Sequence, residues 1–191
     1  MLDGPYRVNR VIARPFTGAP GAFLRTANRR DFAVEPPVNM LDRLAAAGVE
    51  AHGVGKISDI FSGRGLRSST RVGDNDEAMA VTLSLLERVE GGLIFTNLND
   101  FDSKYGHRRD VRGYGAALER LDTQLSELLR LMRPDDVAII TADHGCDPTA
   151  PGTDHTREYA PFLAFGAVEA ADLGIVMGFS LVEKSVTSAL R

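Results

Sequence analysis

The chain has 191 residues, 43% hydrophobic and 25% charged, with 22 basic and 26 acidic side chains and a formal net charge of −4. That apolar fraction excludes a disordered chain, and no stretch approaches the roughly 20 apolar residues of a membrane-spanning helix. A single cysteine, Cys146, excludes an intrachain disulfide framework, and the charged opening MLDGPYRVNR does not read as a signal peptide, so the sequence points to the cytoplasm. The charge is uneven: residues 1–74 hold 11 basic and 7 acidic side chains, a balance of +4, whereas residues 75–191 stand at −8. A basic stretch of this kind suits nucleic acid, a membrane surface, a phosphate ester, or simply a solvated arginine face. The acidic total and the lack of aromatic residues interleaved with basic ones argue against nucleic acid.

Taken in order, YRVNRVIAR (6–14) reads as a strand stopped by Pro15. The Gly-, Pro- and Arg-rich run FTGAPGAFLRTANRRDFAVEPP then breaks helix and strand patterns alike, and predicts a long irregular loop of functional purpose. From Val38 a helix is expected, with Met40, Leu41 and Leu44 on one face and Gly48 as its stop. The short strand VEAHGVG delivers Lys56 into GKISDIF, and the loop SGRGLRSSTRVGDN leads to a helix over 76–90 capped by Asn75. LIFTNL (93–98), DVAIITA (136–142) and PFLAFG (161–166) read as strands, the second apolar enough for burial on both faces. Between the first two, Tyr114, Ala117, Leu118, Leu121, Leu125, Leu128, Leu129 and Met132 keep a 3.6-residue period, which predicts a helix over 112–132. Helices alternating with apolar strands give an α/β protein with a mostly parallel sheet sandwiched by helices.

Two polar segments follow two of those strands. One runs from Asn99 through Asp100, Asp102 and His107 to Arg109; the other runs from Thr141 through Asp143, His144 and Cys146 to Asp154, His155 and Glu158. In open α/β sheets, ligands bind beyond the carboxyl ends of the strands. Carboxylates and imidazoles without a thiolate cluster suit Mn²⁺, Mg²⁺ or Zn²⁺, and two such ions would clamp the oxygens of a phosphoryl transfer. Each residue alone has a plainer reading. Asp100 and Asp102 suit Asx-turns or the cap of the following helix, and His107 suits a hydrogen-bonded loop. Three of the four histidines beside several aspartates favour a metal site, with Cys146 as a small packed neighbour.

The runs Asp102-Ser-Lys-Tyr-Gly-His107-Arg-Arg, Thr141-Ala-Asp143-His144-Gly and Gly152-Thr-Asp-His155-Thr-Arg-Glu-Tyr resemble those of the phosphopentomutases of the alkaline phosphatase superfamily. So do Arg10-Val-Ile-Ala-Arg14-Pro-Phe, Arg25-Thr-Ala-Asn-Arg-Arg-Asp31 and Val54-Gly-Lys56-Ile-Ser-Asp-Ile-Phe, and the resemblance covers most of residues 6–166. It implies an isomerase that interconverts ribose or deoxyribose 1-phosphate and 5-phosphate, through a phosphothreonine and a sugar bisphosphate activator. It implies two Mn²⁺ ions, one held by Asp102, His107 and His155 and the other by Asp143 and His144. Arg10 and Lys56 become the first candidates for contacts to the pentose phosphate, with Arg14, Arg25, Arg29 and Arg30 after them; solvated surface is the plainer reading of those four.

The resemblance is to the C-terminal portion of such enzymes. It implies that residues 1–35 are the end of a cap domain and residues 36–191 part of the metal-binding core, so that the sheet is incomplete. The family's N-terminal Asp ligand and its nucleophilic Thr have no match here, since Thr26, Thr96, Thr141, Thr149, Thr153 and Thr156 stand elsewhere in the pattern. The expectations are a chain that is inactive by itself, or a non-catalytic metal- or sugar-phosphate-binding portion, self-associating through exposed sheet edges. The segment after Gly166 departs from the family's closing segment.

Overall fold

A computed structural model of the chain describes Val8, residues 10–28 and residues 30–190. Its contacts divide into two units, Met1–Pro37 and Val38–Arg191. In the first, β1 (Arg10–Ala13) pairs antiparallel with β4 (Arg30–Ala33), and β2 (Phe16–Thr17) with β3 (Leu24–Arg25). The two ladders are nested in sequence, and Thr26 ties them by donating from its backbone N–H and its hydroxyl to Pro15 O, both at 3.0 Å. Phe16 and Phe23 meet edge to face with ring centres 4.8 Å apart. The run expected to be an irregular loop is therefore a double hairpin. Its inner strands have two residues each, too short for any alternation to be seen. Of the strand expected over 6–14, Arg10–Ala13 is described, while Tyr6, Arg7 and Asn9 lie outside the described residues.

The second unit is α/β. Its parallel sheet has the order β6 (Ser68–Thr70), β5 (Ala51–Val54), β7 (Leu93–Thr96). Every residue of the central strand β5 is buried, as a strand covered on both faces must be. Helices α1 (Met40–Ala46), α2 (Ile57–Ile60) and α3 (Asn75–Arg88) pack on the sheet, and α4 (Val111–Leu131) packs on α3. Leu41, Ala51 and Ile57 form the core, with Phe61, Leu66, Leu93 and Phe95 closing around them. Gly65 packs directly on it: at φ +68° its backbone lies so close to Leu41 that a Cβ would stand 2.4 Å from the Leu41 carbonyl. Only glycine fits that position.

Several expectations change. The cap of α3 is Asp74, which accepts from Glu77 N at 2.9 Å; Asn75 is the first helical residue and serves elsewhere. Strand β6 comes from a stretch read as loop, because its residues are short, polar and exposed. Strand β8 (Val137–Thr141) is half-buried rather than covered on both faces, and it pairs antiparallel with β9 (Phe162–Gly166), apart from the parallel sheet. The connection between them contains no helix, and a parallel crossover needs one or its equivalent; the chain returns beside itself instead. Helix α4 has the expected period, yet none of its residues is fully buried, and Leu118 and Leu129 are exposed. Beyond Gly166, α5 (Ser180–Ala189) docks on α1, with Val186 buried and Arg43 Nε donating to Glu183 Oε1 at 2.7 Å. Among the described residues no helix is long and apolar enough to cross a membrane.

Two substitutions test this core by urea denaturation of the full chain. Leu41→Ala is expected to cost about 2–5 kcal/mol. Gly65→Ala is expected to cost at least about 1–3 kcal/mol, because it strains the backbone and drives a methyl group into Leu41.

Candidate metal centre

Strand β7 ends at Thr96, and the chain turns through Asn97, Leu98 and Asn99 into a single π-helical segment, Phe101–Gly106. The start of this segment is tied to the start of α3. Asp100 N donates to Asn75 Oδ1 at 3.0 Å, and Asn75 N donates to Asp100 Oδ2 at 3.2 Å. Asp100 is thus a buried structural tether, which leaves Asp102 as the carboxylate for chemistry. The wide i→i+5 turn, closed by His107 N donating to Asp102 O at 2.9 Å, brings residues 102 and 107 to successive turns of one face. In an α-helix, at about 100° per residue, residues five apart point well away from each other. Gly106 is buried within this turn, and a Cβ on it would lie 2.2 Å from Cys146 Sγ and 2.6 Å from Phe101 O.

The second strand-end segment approaches from β8. Residues Gly145 and Thr156 form an isolated antiparallel bridge, with Thr156 N donating to Gly145 O at 3.1 Å. Thr156 Oγ1 accepts from Asp147 N at 2.6 Å, and Asp147 Oδ1 accepts from both the amide and the hydroxyl of Thr149 at 2.7 Å. Those hydrogen bonds hold the Asp147 carboxyl below the usual range for an aspartate, the Thr149 hydroxyl contributing most. The bridge makes His144 and His155 diagonal neighbours, and their rings stack with centres 3.6 Å apart at 14°.

At the meeting point Asp102 Oδ1 is buried and accepts no hydrogen bond. Around it stand His155 Nε2 at 3.1 Å, His107 Nε2 at 3.2 Å and His144 Nε2 at 4.0 Å. His107 Nδ1 donates to Thr153 O at 2.5 Å and His144 Nδ1 to Gly145 O at 2.9 Å. With Nδ1 as the donor, the neutral form of each ring carries its lone pair on Nε2, the nitrogen that faces Asp102. Asp102, His107 and His155 each offer one ligand atom within 4.8 Å of the others. The two distances from Asp102 Oδ1, about 3 Å, are what an ion with bonds of about 2.1 Å gathers, and a carboxylate oxygen among imidazole nitrogens fits a divalent cation. A carbonyl on the far nitrogen of a ligating imidazole is the usual support.

The remaining candidates are placed less centrally. Asp143 is 85% exposed, with Oδ1 3.5 Å from His144 Nε2, and among the described residues no third ligand atom joins this pair into a group. Lys56 follows β5, and its ammonium donates to Asn99 Oδ1 at 2.5 Å; Asn99 Nδ2 in turn donates to Ser103 Oγ at 2.6 Å. Lys56 therefore reaches the same strand-end segment as Asp102. Arg14, Arg25 and Arg30 are exposed in the first unit, while Arg29 and the side chain of Arg10 lie outside the described residues. Cys146 is half-buried against Gly106, and burial, followed by the charge of Asp102, pushes its thiol up, which keeps it a neutral packing residue. The roles of Asn75, Asn99 and Thr153 escape sequence reasoning because each acts through hydrogen bonds across the fold, a relation with no local signature.

Residues 22–190 match the model of the metalloenzyme superfamily. The chain is 54% identical over 166 residues to a phosphopentomutase of Caldanaerobacter subterraneus, covering 86% of this chain and 42% of that protein. It is 50% identical over 193 residues to a phosphopentomutase of Sinorhizobium medicae, covering 99% and 48%, and 48% identical over 194 residues to one of Agrobacterium fabrum, covering 100% and 48%. It thus spans less than half the length of these curated relatives. With that match over most of its length, and an α/β unit that brings Asp102, His107 and His155 together, the chain belongs to the metalloenzyme superfamily.

Proposed function

We propose that this chain carries the metal-binding part of a phosphopentomutase-type isomerase, which relocates phosphate between the 1- and 5-positions of ribose or deoxyribose. The observation that carries the reading is Asp102 Oδ1, buried without a hydrogen bond among three imidazole nitrogens, in a chain about half identical to phosphopentomutases. Asp102, His107 and His155 would hold one Mn²⁺, and Asp143 with His144 the other. Such ions neutralise charge on a transferring phosphoryl group and its attacking and leaving oxygens. The protein's own part is orientation. The carbonyls of Thr153 and Gly145 set the tautomers of His107 and His144, and the Asn75–Asp100 pair fixes the turn that carries Asp102. Lys56, held by Asn99 beside that turn, and Arg10 are the proposed contacts to the substrate phosphate.

On the same reading residues 1–35 are the end of a substrate-covering cap domain and residues 36–191 part of a cytoplasmic enzyme's core; the division of contacts between Pro37 and Val38 supports that partition. A sugar bisphosphate would act as activator, and a phosphoryl-carrying Thr would be required, a role we propose for none of Thr26, Thr96, Thr141, Thr149, Thr153 and Thr156. A second reading, a metal-binding portion without turnover of its own, is favoured by the Asp143–His144 pair, which no third described ligand atom completes. Strands β7 and β8 each pair on one side only among the described residues, and α4 leaves Leu118 and Leu129 exposed, which supports self-association.

Three measurements test these proposals. Titration with Mn²⁺, read by the loss of the free-ion electron paramagnetic resonance signal, is expected to show uptake by wild type that Asp102→Ala lowers by at least about tenfold. Equal binding by the two overturns the site. With Mn²⁺, ribose 1-phosphate and a sugar bisphosphate supplied, the purified chain is expected to form no 5-phosphate; turnover that disappears in His155→Ala shows it to be a complete enzyme. Sedimentation is expected to give a mass that rises with concentration, and a constant monomer mass excludes self-association.

A further inference from the structure

The loop that delivers His155 is gathered around one side chain. Arg109 Nε donates to Gly152 O at 2.6 Å, Nη1 to Asp147 O at 2.7 Å and Nη2 to Asp154 O at 2.8 Å. All three nitrogens of the guanidinium are engaged, and each takes a carbonyl from a different point of residues 147–154. Two residues earlier, His107 Nδ1 takes Thr153 O, so the carbonyls of 152, 153 and 154 are all bound by the turn that follows the π-helix. Carbonyl oxygens converging on one point repel each other, and a planar cation with five donors in a fixed fork is the side chain that relieves this.

The backbone at Arg109 adopts an unfavourable conformation in the same arrangement. Its φ is +54°, in the left-handed region that costs a non-glycine residue about 1–2 kcal/mol. The chain must turn sharply here, from His107 in the metal cluster to Asp110, which caps α4 by accepting from Gly113 N at 2.9 Å. Glycine would make that turn without strain but has no guanidinium to offer. Arg108, beside it, is exposed and makes no such contacts, so the two arginines of the His-Arg-Arg run differ in role.

We infer that Arg109 is a positioning residue which latches the 147–154 loop onto the π-helical turn, and thereby sets His155 against Asp102 and His107. It touches neither substrate nor ion and acts through His155. The inference rests on the proposed metal role of Asp102, His107 and His155 for its effect on affinity, but the latch itself is a property of the metal-free protein.

The experiment therefore has two arms on the full chain. In metal-free protein, amide hydrogen exchange at Asp147, Thr149, Ala150 and Thr156, whose amides are hydrogen-bonded within this loop, is expected to quicken at least about tenfold in Arg109→Ala, with exchange in β5 unchanged. In the Mn²⁺ titration, Arg109→Ala is expected to weaken binding by about 10–100-fold, Arg109→Lys to recover part of the loss, and Arg108→Ala to match wild type. Within a His155→Ala background, Arg109→Ala is expected to cost no further affinity, since the group it orients is gone. Loop exchange equal to wild type overturns the latch. Faster exchange in both loop and β5 also overturns it, because the effect is then on global stability. An affinity loss in Arg109→Ala that adds fully to that of His155→Ala overturns the action through His155. If wild type takes up no Mn²⁺ while the loop still loosens, the metal reading fails and the latch stands.

Discussion

A carboxylate oxygen that is shut off from water and accepts no hydrogen bond costs a protein about 1–3 kcal/mol, and more when it is charged. Asp102 Oδ1 is such an oxygen, and the nitrogens nearest to it are His155 Nε2 and His107 Nε2, the latter on a ring whose Nδ1 donates away from it to Thr153 O. Left to relax, the side chain would turn toward solvent or toward a donor. It is held by the elements around it: the π-helical turn, the Asn75–Asp100 exchange at its entry, Gly106 pressed against Cys146, and the bridge that stacks His144 on His155. The second unit can be read as the apparatus that keeps this one oxygen where a cation would sit. Local arrangements unfavourable for folding gather where binding needs them, and the left-handed Arg109 belongs to the same group.

Much of this was legible in the sequence because helices announce themselves by period. The repeat from Tyr114 to Met132 marks α4 to within a residue or two, and Met40, Leu41 and Leu44 mark α1. The parallel sheet of β6, β5 and β7 was legible in the alternation of helices and strands, but the direction of β8 was not. DVAIITA has the composition of a strand buried in a parallel sheet, yet its neighbour is set by the connection, and residues 142–161 fold back without a helix. The double hairpin of the first unit was hidden for a different reason. Strands of two residues carry no alternation, and the glycines and prolines that suggest irregular chain also build tight turns.

For the site, residue type and clustering pointed to a metal centre, and the family resemblance singled out Asp102, His107 and His155, whose ligand atoms the fold gathers within 4.8 Å. Spacing alone would have misled: residues 102 and 107 share a face only because the turn between them is a π-helix. No pattern in Phe101–Gly106 states this except the glycine at 106, which has the one side chain small enough to meet Cys146. Asp143 illustrates the opposite limit. Its type and its place after a strand match those of Asp102, but the fold leaves it 85% exposed, with its oxygen 3.5 Å from His144 Nε2.

The difference between the two carboxylates follows from what precedes each one. Asp102 lies on a turn anchored at both ends, by Asp100 to α3 and by the His107 and Arg109 contacts to the opposite loop. Asp143 follows the end of β8, and its side chain is 85% exposed, 3.5 Å from its sequence neighbour His144 and joined to no third ligand atom among the described residues. Here the candidate ligand set forms by convergence of two segments rather than within one. The first set draws Asp102 and His107 from one strand end and His155 from the other, and the hydrogen bonds that cross between those segments are what make it a set. By that criterion the loop-to-turn contacts that hold the two backbones in register belong to the candidate centre as much as the three side chains they align.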